Sequence, residues 1–138
     1  MNDPVKTDSI GFNKHSLNLD AAKETERIVE GLRQSVHQAL RRRGAVLGIS
    51  GGIDSSVVLG LCAKAFGLEN VVALLLPEGE SSPESATLAQ LVADHYGVQT
   101  ITEDISGVLE GFGCYRRRNQ AIARLFPEFG EGWQAKIA

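Results

Sequence analysis

Only two cysteines, Cys62 and Cys114, occur in the 138 residues, and neither belongs to a CxxC pair. A disulfide framework or a structural zinc site therefore has no support, and both cysteines are expected to be small buried hydrophobes. An excess of positive charge is lacking as well: the formal net charge is −3, so no global basic field advertises nucleic acid as a partner. No apolar run approaches the roughly 20 residues that cross a bilayer. The opening "MNDPVKTDSIGFNKHS" has none of the charged-then-apolar order of a secretion signal. The expectation is a cytoplasmic protein with no membrane and no nucleic-acid partner. With 43% hydrophobic and 22% charged residues, the composition is that of a soluble globular chain without repeats.

What is present is an alternation of two patterns. Residues 1–18 show no period and read as an N-terminal arm, leaving 19–138 as one domain. From Asp20, the residues Ile28, Leu32, Val36 and Ala39/Leu40 recur at helical spacing, with Gly44 expected as a left-handed cap. Arg41, Arg42 and Arg43 would then fall in the last turn, where cations complement the carbonyl end of the helix by ~0.3–1 kcal/mol each. "AVLGI" (45–49) has the short apolar run of a strand buried on both faces, and "DSSVVLGLCAKAFG" reads as a helix ending at Gly67.

"VVALLLP" (71–77) repeats the strand signal and is stopped by Pro77. A helix follows, with Ser82 as its cap, Pro83 in its first turn and Gly97 closing it. "VQTIT" (98–102) is a third strand, Glu103 or Asp104 opens a further helical region, and "CYRRRNQAIARLFPEF" is a last helix with Ile122 and Leu125 among its apolar positions. Strands alternating with helices imply parallel pairing through right-handed crossovers, hence an α/β fold: a three-layer, doubly wound parallel sheet with helices on both faces. Three strands fall short of the mean of roughly five or six per sheet, so the sheet is expected to be completed elsewhere.

In such sheets ligands bind beyond the carboxyl ends of the strands, where "GISGGIDSS" (48–56) lies. Gly51 and Gly52 lack a Cβ, which permits positive φ and lets an anion approach the amides. Ser50 and Ser55 add hydroxyls, and the next helix presents unpaired N–H groups and about half a positive charge. The loop suits phosphate oxygens. A carboxylate beside a polyphosphate calls for a cation between them, so Asp54 is expected to ligate Mg²⁺.

Rival loops fail on the letters: the lysine of GxxxxGK[ST] is missing and GxGxxG is not satisfied. "GISGG" does fit the GxSxG nucleophile elbow, with Ser50 as nucleophile, but His95, the one later histidine, falls within a helical pattern. No residue is assigned a catalytic role.

"SGGIDSS" (50–56) resembles the pyrophosphate-binding loop of the PP-loop ATP pyrophosphatases, a Rossmann-like superfamily (adenine nucleotide alpha hydrolase-like) that includes GMP, asparagine, argininosuccinate and NAD synthetases. "LLLPEGESSPESATLAQLVADHYGV" and "GFGCYRRRNQAIARLFPEFGEGWQAKI" resemble the synthetase domain of bacterial NAD synthetases, specifically its N-terminal half. The resemblance implies ATP-dependent amidation of nicotinic acid adenine dinucleotide (deamido-NAD) to NAD through an acyl-adenylate, releasing AMP and pyrophosphate.

By the same resemblance, Gly48, Ser50, Gly51, Gly52, Asp54 and Ser55 contact ATP phosphates, Asp54 ligates the metal, and Leu75 and Leu76 border the adenine. Ammonia would arrive free or from a separate glutaminase partner, and a homodimer is implied. Arg117, in the triplet Arg116–Arg118, could reach a phosphate of the dinucleotide, against the alternative of a solvated helix face. Two other readings stay open: an ATP- or pyrophosphate-binding fragment without complete catalysis, and a sister amidating synthetase of the same superfamily.

Overall fold

Asp20 starts the first helix by accepting a hydrogen bond from the Lys23 amide at 3.1 Å, which satisfies one of the free N–H groups of the first turn. The computed structural model describes residue 13, residues 18–130 and residues 132–133. The expected arm therefore lies almost wholly outside the described residues. Helix α1 spans Ala21–Arg33 and continues as a π-helical segment, Gln34–Ala39. That wider turn alters the ending expected from the sequence. The Leu40 amide bonds back to the Ser35 carbonyl and the Arg42 amide to the Val36 carbonyl, so these late carbonyls are satisfied by backbone. Arg41 takes the left-handed conformation at φ 52°, in place of Gly44. Arg41, Arg42 and Arg43 thus lie beyond the helix rather than in its last turn. Gly44 is needed for a different reason: a Cβ there would overlap the backbone of Asn70.

Strand β1 (Ala45–Gly48) leads through the glycine loop into α2 (Ile53–Phe66); β2 (Val71–Leu75) leads into α3 (Pro83–Tyr96) and then β3 (Gln99–Thr102). All pairings are parallel in the order β1-β2-β3, with Ala45 opposite Val71 and Val72 opposite Gln99. Successive right-handed crossovers in one direction place α2 and α3 on the same face of the sheet, and α1 packs against α2. The core forms there. Ile49, Val71, Ala73 and Leu75 from the sheet side meet Leu59, Cys62 and Phe66 of α2 and Ala89 and Ala93 of α3. Burial pushes the Cys62 thiol pKa up, the behaviour of a packed hydrophobe.

The other face is different. Val46 is 66% and Ile101 47% exposed, while Val72 and Leu74 between them are half-buried. β1 is thus covered on one face rather than on both, and the second helical layer expected from the sequence is not among the described residues. Two short helices, α4 (Ser106–Gly111) and α5 (Cys114–Ala123), pack on each other after β3. Asp104 accepts from the Ser106 amide at 2.8 Å, so the α4 helix begins slightly later than the sequence implied. α5 ends before Leu125, which is 77% exposed instead of serving the helix's apolar stripe.

Candidate functional site

The chain turns from β1 into α2 within four residues, and each of them has a defined job. The Ile49 amide still donates to the Leu74 carbonyl at 2.9 Å, so the sheet holds the chain up to the residue before the loop. Gly51 then takes φ 75°, and a Cβ on it would lie 2.7 Å from both the Ser85 carbonyl oxygen and the Leu88 Cβ. Its bare face is turned to α3. The expectation that both glycines adopt positive φ therefore holds for Gly51 alone: Gly52 is extended at φ −78°, ψ 160° and is the N-cap of α2, with no side chain capping the helix. The first-turn amides of α2 are left without a side-chain acceptor.

Two hydroxyls converge on that end. Ser50 Oγ and Ser55 Oγ are 3.2 Å apart, the Ser50 amide donates to Ser55 Oγ at 3.2 Å, and the Gly52 amide donates to Ser50 Oγ at 3.3 Å. Ser55 and Ser56 hydroxyls donate in turn to the Gly52 carbonyl, at 3.0 and 2.8 Å. Ser56, which the sequence reading left without a role, so helps to fix the loop. Asp54 is exposed in the first turn of α2. Ser50, Gly51, Gly52, Asp54 and Ser55 are thus brought together, whereas Gly48 ends β1 with open space beside its Cα. Among the described residues no group of three or more His, Cys, Asp or Glu could hold a metal ion by itself, so a cation at Asp54 would need ligand oxygens from a substrate.

Beside Ser50 lies a cavity of about 280 Å³, walled by Leu75, Leu76 and Pro77 from the end of β2, by Glu78, Glu80 and Ser81, and by Ser85 and Ala89 of α3. Its floor is apolar and its rim polar, with the serine loop at one end. The acidic rim residues were not singled out in the sequence. Tyr115 Oη donates to Glu78 Oε2 at 2.6 Å, and Arg118 forms a two-pronged pair with Glu80 at 2.5 and 2.6 Å. The Tyr115 hydroxyl holds the Glu78 carboxyl below its ordinary pKa, and the Arg118 guanidinium does the same for Glu80. Arg118 is half-buried in this contact, while Arg117 is exposed and reaches back to Cys114 Sγ at 3.8 Å. The cue was available: with a helix starting at Cys114, Tyr115 and Arg118 are three apart and share a face.

Such a strand, a glycine-serine turn and a helix whose N-terminus opens beside a cavity at the carboxyl end of a parallel sheet define an α/β domain of the PP-loop type. The model of the NAD synthase family matches residues 24–125, and the chain belongs to that family. It is 48% identical over 126 residues to the NH(3)-dependent NAD(+) synthetase of Rhizobium meliloti (strain 1021), covering 91% of this chain and 37% of that protein. The NH(3)-dependent NAD(+) synthetase of Mesorhizobium japonicum is 49% identical over 121 residues, 88% of this chain and 38% of that protein.

Among solved structures, the NH3-dependent NAD synthetase from Campylobacter jejuni, determined with a nitrate ion, superposes with a TM-score of 0.63 at 30% identity, over 69% of this chain and 41% of that one. A glutamine-dependent NAD+ synthetase from Acinetobacter baumannii, in complex with ADP, superposes with a TM-score of 0.54 at 28% identity, over 80% of this chain and 20% of that one. The chain therefore spans less than two fifths of the length of the two curated relatives.

Proposed function

We propose that this chain supplies the ATP-holding part of an ATP-dependent amidation of deamido-NAD to NAD. The observation that carries the reading is the meeting of the Ser50 and Ser55 hydroxyls at the side-chain-free N-terminus of α2, next to the cavity under Leu75 and Leu76. In this reading the cavity takes the adenosine end of ATP. The amides of the loop, the two hydroxyls and the helix end face the phosphates. The nicotinate carboxylate attacks the α-phosphate, an acyl-adenylate forms, pyrophosphate leaves, and ammonia displaces AMP. Donors fixed before the reaction stabilise the charge that gathers on the departing pyrophosphate without having to reorganise.

Asp54 would hold Mg²⁺ together with substrate phosphates, and the bound ion would neutralise polyphosphate charge. Gly48, Gly51 and Gly52 are assigned to the ATP phosphates, and Arg117 to a dinucleotide phosphate. Ammonia is the nitrogen donor, as the names of the two rhizobial relatives also have it. A homodimer, ammonia taken up free or delivered by a separate glutaminase, and a cytoplasmic location complete the proposal. No described helix is long and apolar enough to cross a membrane.

The test is incubation with Mg·ATP, deamido-NAD and ammonium, following AMP and NAD together by chromatography. Equal appearance of both supports the reaction, and AMP formation with a different carboxylate substrate would point to a sister synthetase. Because the chain spans only part of its relatives, a second reading is kept: the chain binds Mg·ATP or pyrophosphate and turns nothing over. Binding by calorimetry without product separates that outcome from the first.

A further inference from the structure

Helix α5 is joined twice to the loop that walls the cavity, although nearly forty residues separate the two in sequence. Tyr115 Oη donates to Glu78 Oε2 at 2.6 Å, and the guanidinium of Arg118 grips both oxygens of Glu80. The two side chains stand on one face of α5, and the Arg118 guanidinium lies 5.5 Å from the centre of the Tyr115 ring, so each helps to fix the other. The loop is also bonded within itself: the Glu80 amide donates to Glu78 Oε2 at 3.1 Å, and the Ser81 hydroxyl donates to Glu78 Oε1 at 3.3 Å. Both carboxylates thus face protein donors, and both line the cavity that opens at Ser50.

We propose that Tyr115 and Arg118 are positioning residues for nucleotide binding: they anchor the loop at residues 78–81 as the wall of the cavity and hold the charges of Glu78 and Glu80 away from an incoming polyphosphate. The inference rests on the cavity being the nucleotide site. Glu78 and Glu80 line the same cavity as Ser50, so an entering polyanion would share it with two carboxylates, and like charges oppose binding. A guanidinium fork on one carboxylate and a phenol on the other offset that charge while keeping the loop in a single arrangement. An ion pair as open to solvent as Arg118 and Glu80, with side chains 24% and 47% exposed, contributes little to folding stability. Its loss is therefore read in ligand affinity.

The experiment is calorimetric titration of the full chain with Mg·ATP, alongside urea unfolding, for the parent, Arg118→Ala, Tyr115→Phe, Ser55→Ala, and Arg118→Ala combined with Glu80→Gln. Arg118→Ala is expected to weaken binding about tenfold with an almost unmoved unfolding midpoint, as fits the loss of a charge-assisted fork. Tyr115→Phe is expected to weaken it about threefold, a single neutral donor being worth less. Removing the stranded carboxylate in the double variant should recover most of the Arg118→Ala loss.

Parental affinity in Arg118→Ala, no recovery on adding Glu80→Gln, or a loss of affinity that follows a large fall in the unfolding midpoint would each overturn the positioning role. A parent chain that does not bind Mg·ATP, or a Ser55→Ala variant that binds it unchanged, would overturn the nucleotide-site reading and this inference with it.

Discussion

Gly51 is pressed against helix α3: a Cβ placed on it would come 2.7 Å from the carbonyl oxygen of Ser85 while the backbone holds φ at 75°. The glycine is demanded by packing as well as by the turn. The loop is therefore braced by α3.

Gly51→Ala is expected to cost about 2–3 kcal/mol, combining left-handed strain with a backbone overlap that cannot relax. Gly52→Ala should cost less than about 1 kcal/mol, because Gly52 is extended and its Cβ would meet only the flexible Ser50 hydroxyl, at 3.3 Å. Urea unfolding of the two variants checks the contrast. Equal losses would mean that the brace against α3 is not what Gly51 provides.

Arg33 closes the far end of α2, donating from Nε to the Ala65 carbonyl at 2.9 Å and from Nη2 to the Lys64 carbonyl at 3.0 Å. Arg33→Met keeps most of the aliphatic stem and removes both bonds and the cation at a helix C-terminus, so a loss of about 1 kcal/mol is expected. Hydrogen exchange of the last turn of α2 should quicken. Unchanged protection there would show that other groups satisfy those carbonyls.

The junction between α5 and the cavity wall is expected to depend on pH at both ends of the scale. Glu78 and Glu80 titrate below the ordinary 4.5, chiefly through the Tyr115 hydroxyl and the Arg118 guanidinium respectively. A depressed carboxyl pKa contributes stability above its unfolded value and loses it as pH falls through the folded value. Tyr115 is raised above the ordinary 10.0, chiefly by its bond to Glu78, so its contribution is present below that value and is lost as pH rises through the folded one. The junction should hold from about pH 5 to 10 and loosen outside that window. Tyrosine-ring NMR across an alkaline titration reads it directly: Glu78→Gln should bring the Tyr115 ionisation down toward its ordinary value. Identical curves in parent and variant would show that the bond does not persist in solution.

We propose that Asp54 serves the cation rather than the fold. Asp54→Asn should leave the unfolding free energy from urea titration within about 0.5 kcal/mol of the parent, as for an exposed surface position. Its affinity for ATP should no longer rise when Mg²⁺ is added, and in the parent chelation of the metal should weaken ATP binding. A variant that keeps the parent's response to Mg²⁺ would remove Asp54 from the metal site.

The glycine-serine loop was legible in the sequence because its chemistry is local: Ser50, Gly51, Gly52 and Ser55 lie within six residues, between a strand signal and a helix signal. The acidic rim was not, since a helix phase puts Tyr115 and Arg118 on one face but does not say that this face meets Glu78 and Glu80, nearly forty residues earlier. The triplet Arg116–Arg118 shows the same limit: its letters do not reveal that Arg118 is the member paired with Glu80 until the helical phase is set by Gly113, the left-handed N-cap at φ 67°. The ending of α1 escaped for another reason. A π turn spends one more residue than an α turn, and nothing in "QSVHQAL" advertises it. The apolar letters of β1 report two buried faces, of which the described residues cover one.

The order β1-β2-β3 has a bearing on how the molecule comes into being. Among the described residues each strand joins the one made immediately before it, so these three strands can be laid down in step with synthesis. The serine turn gains its brace when α3 docks, and the acidic rim gains its anchor only once α5 has emerged. Assembly of the pocket thus follows the three strands on which it stands.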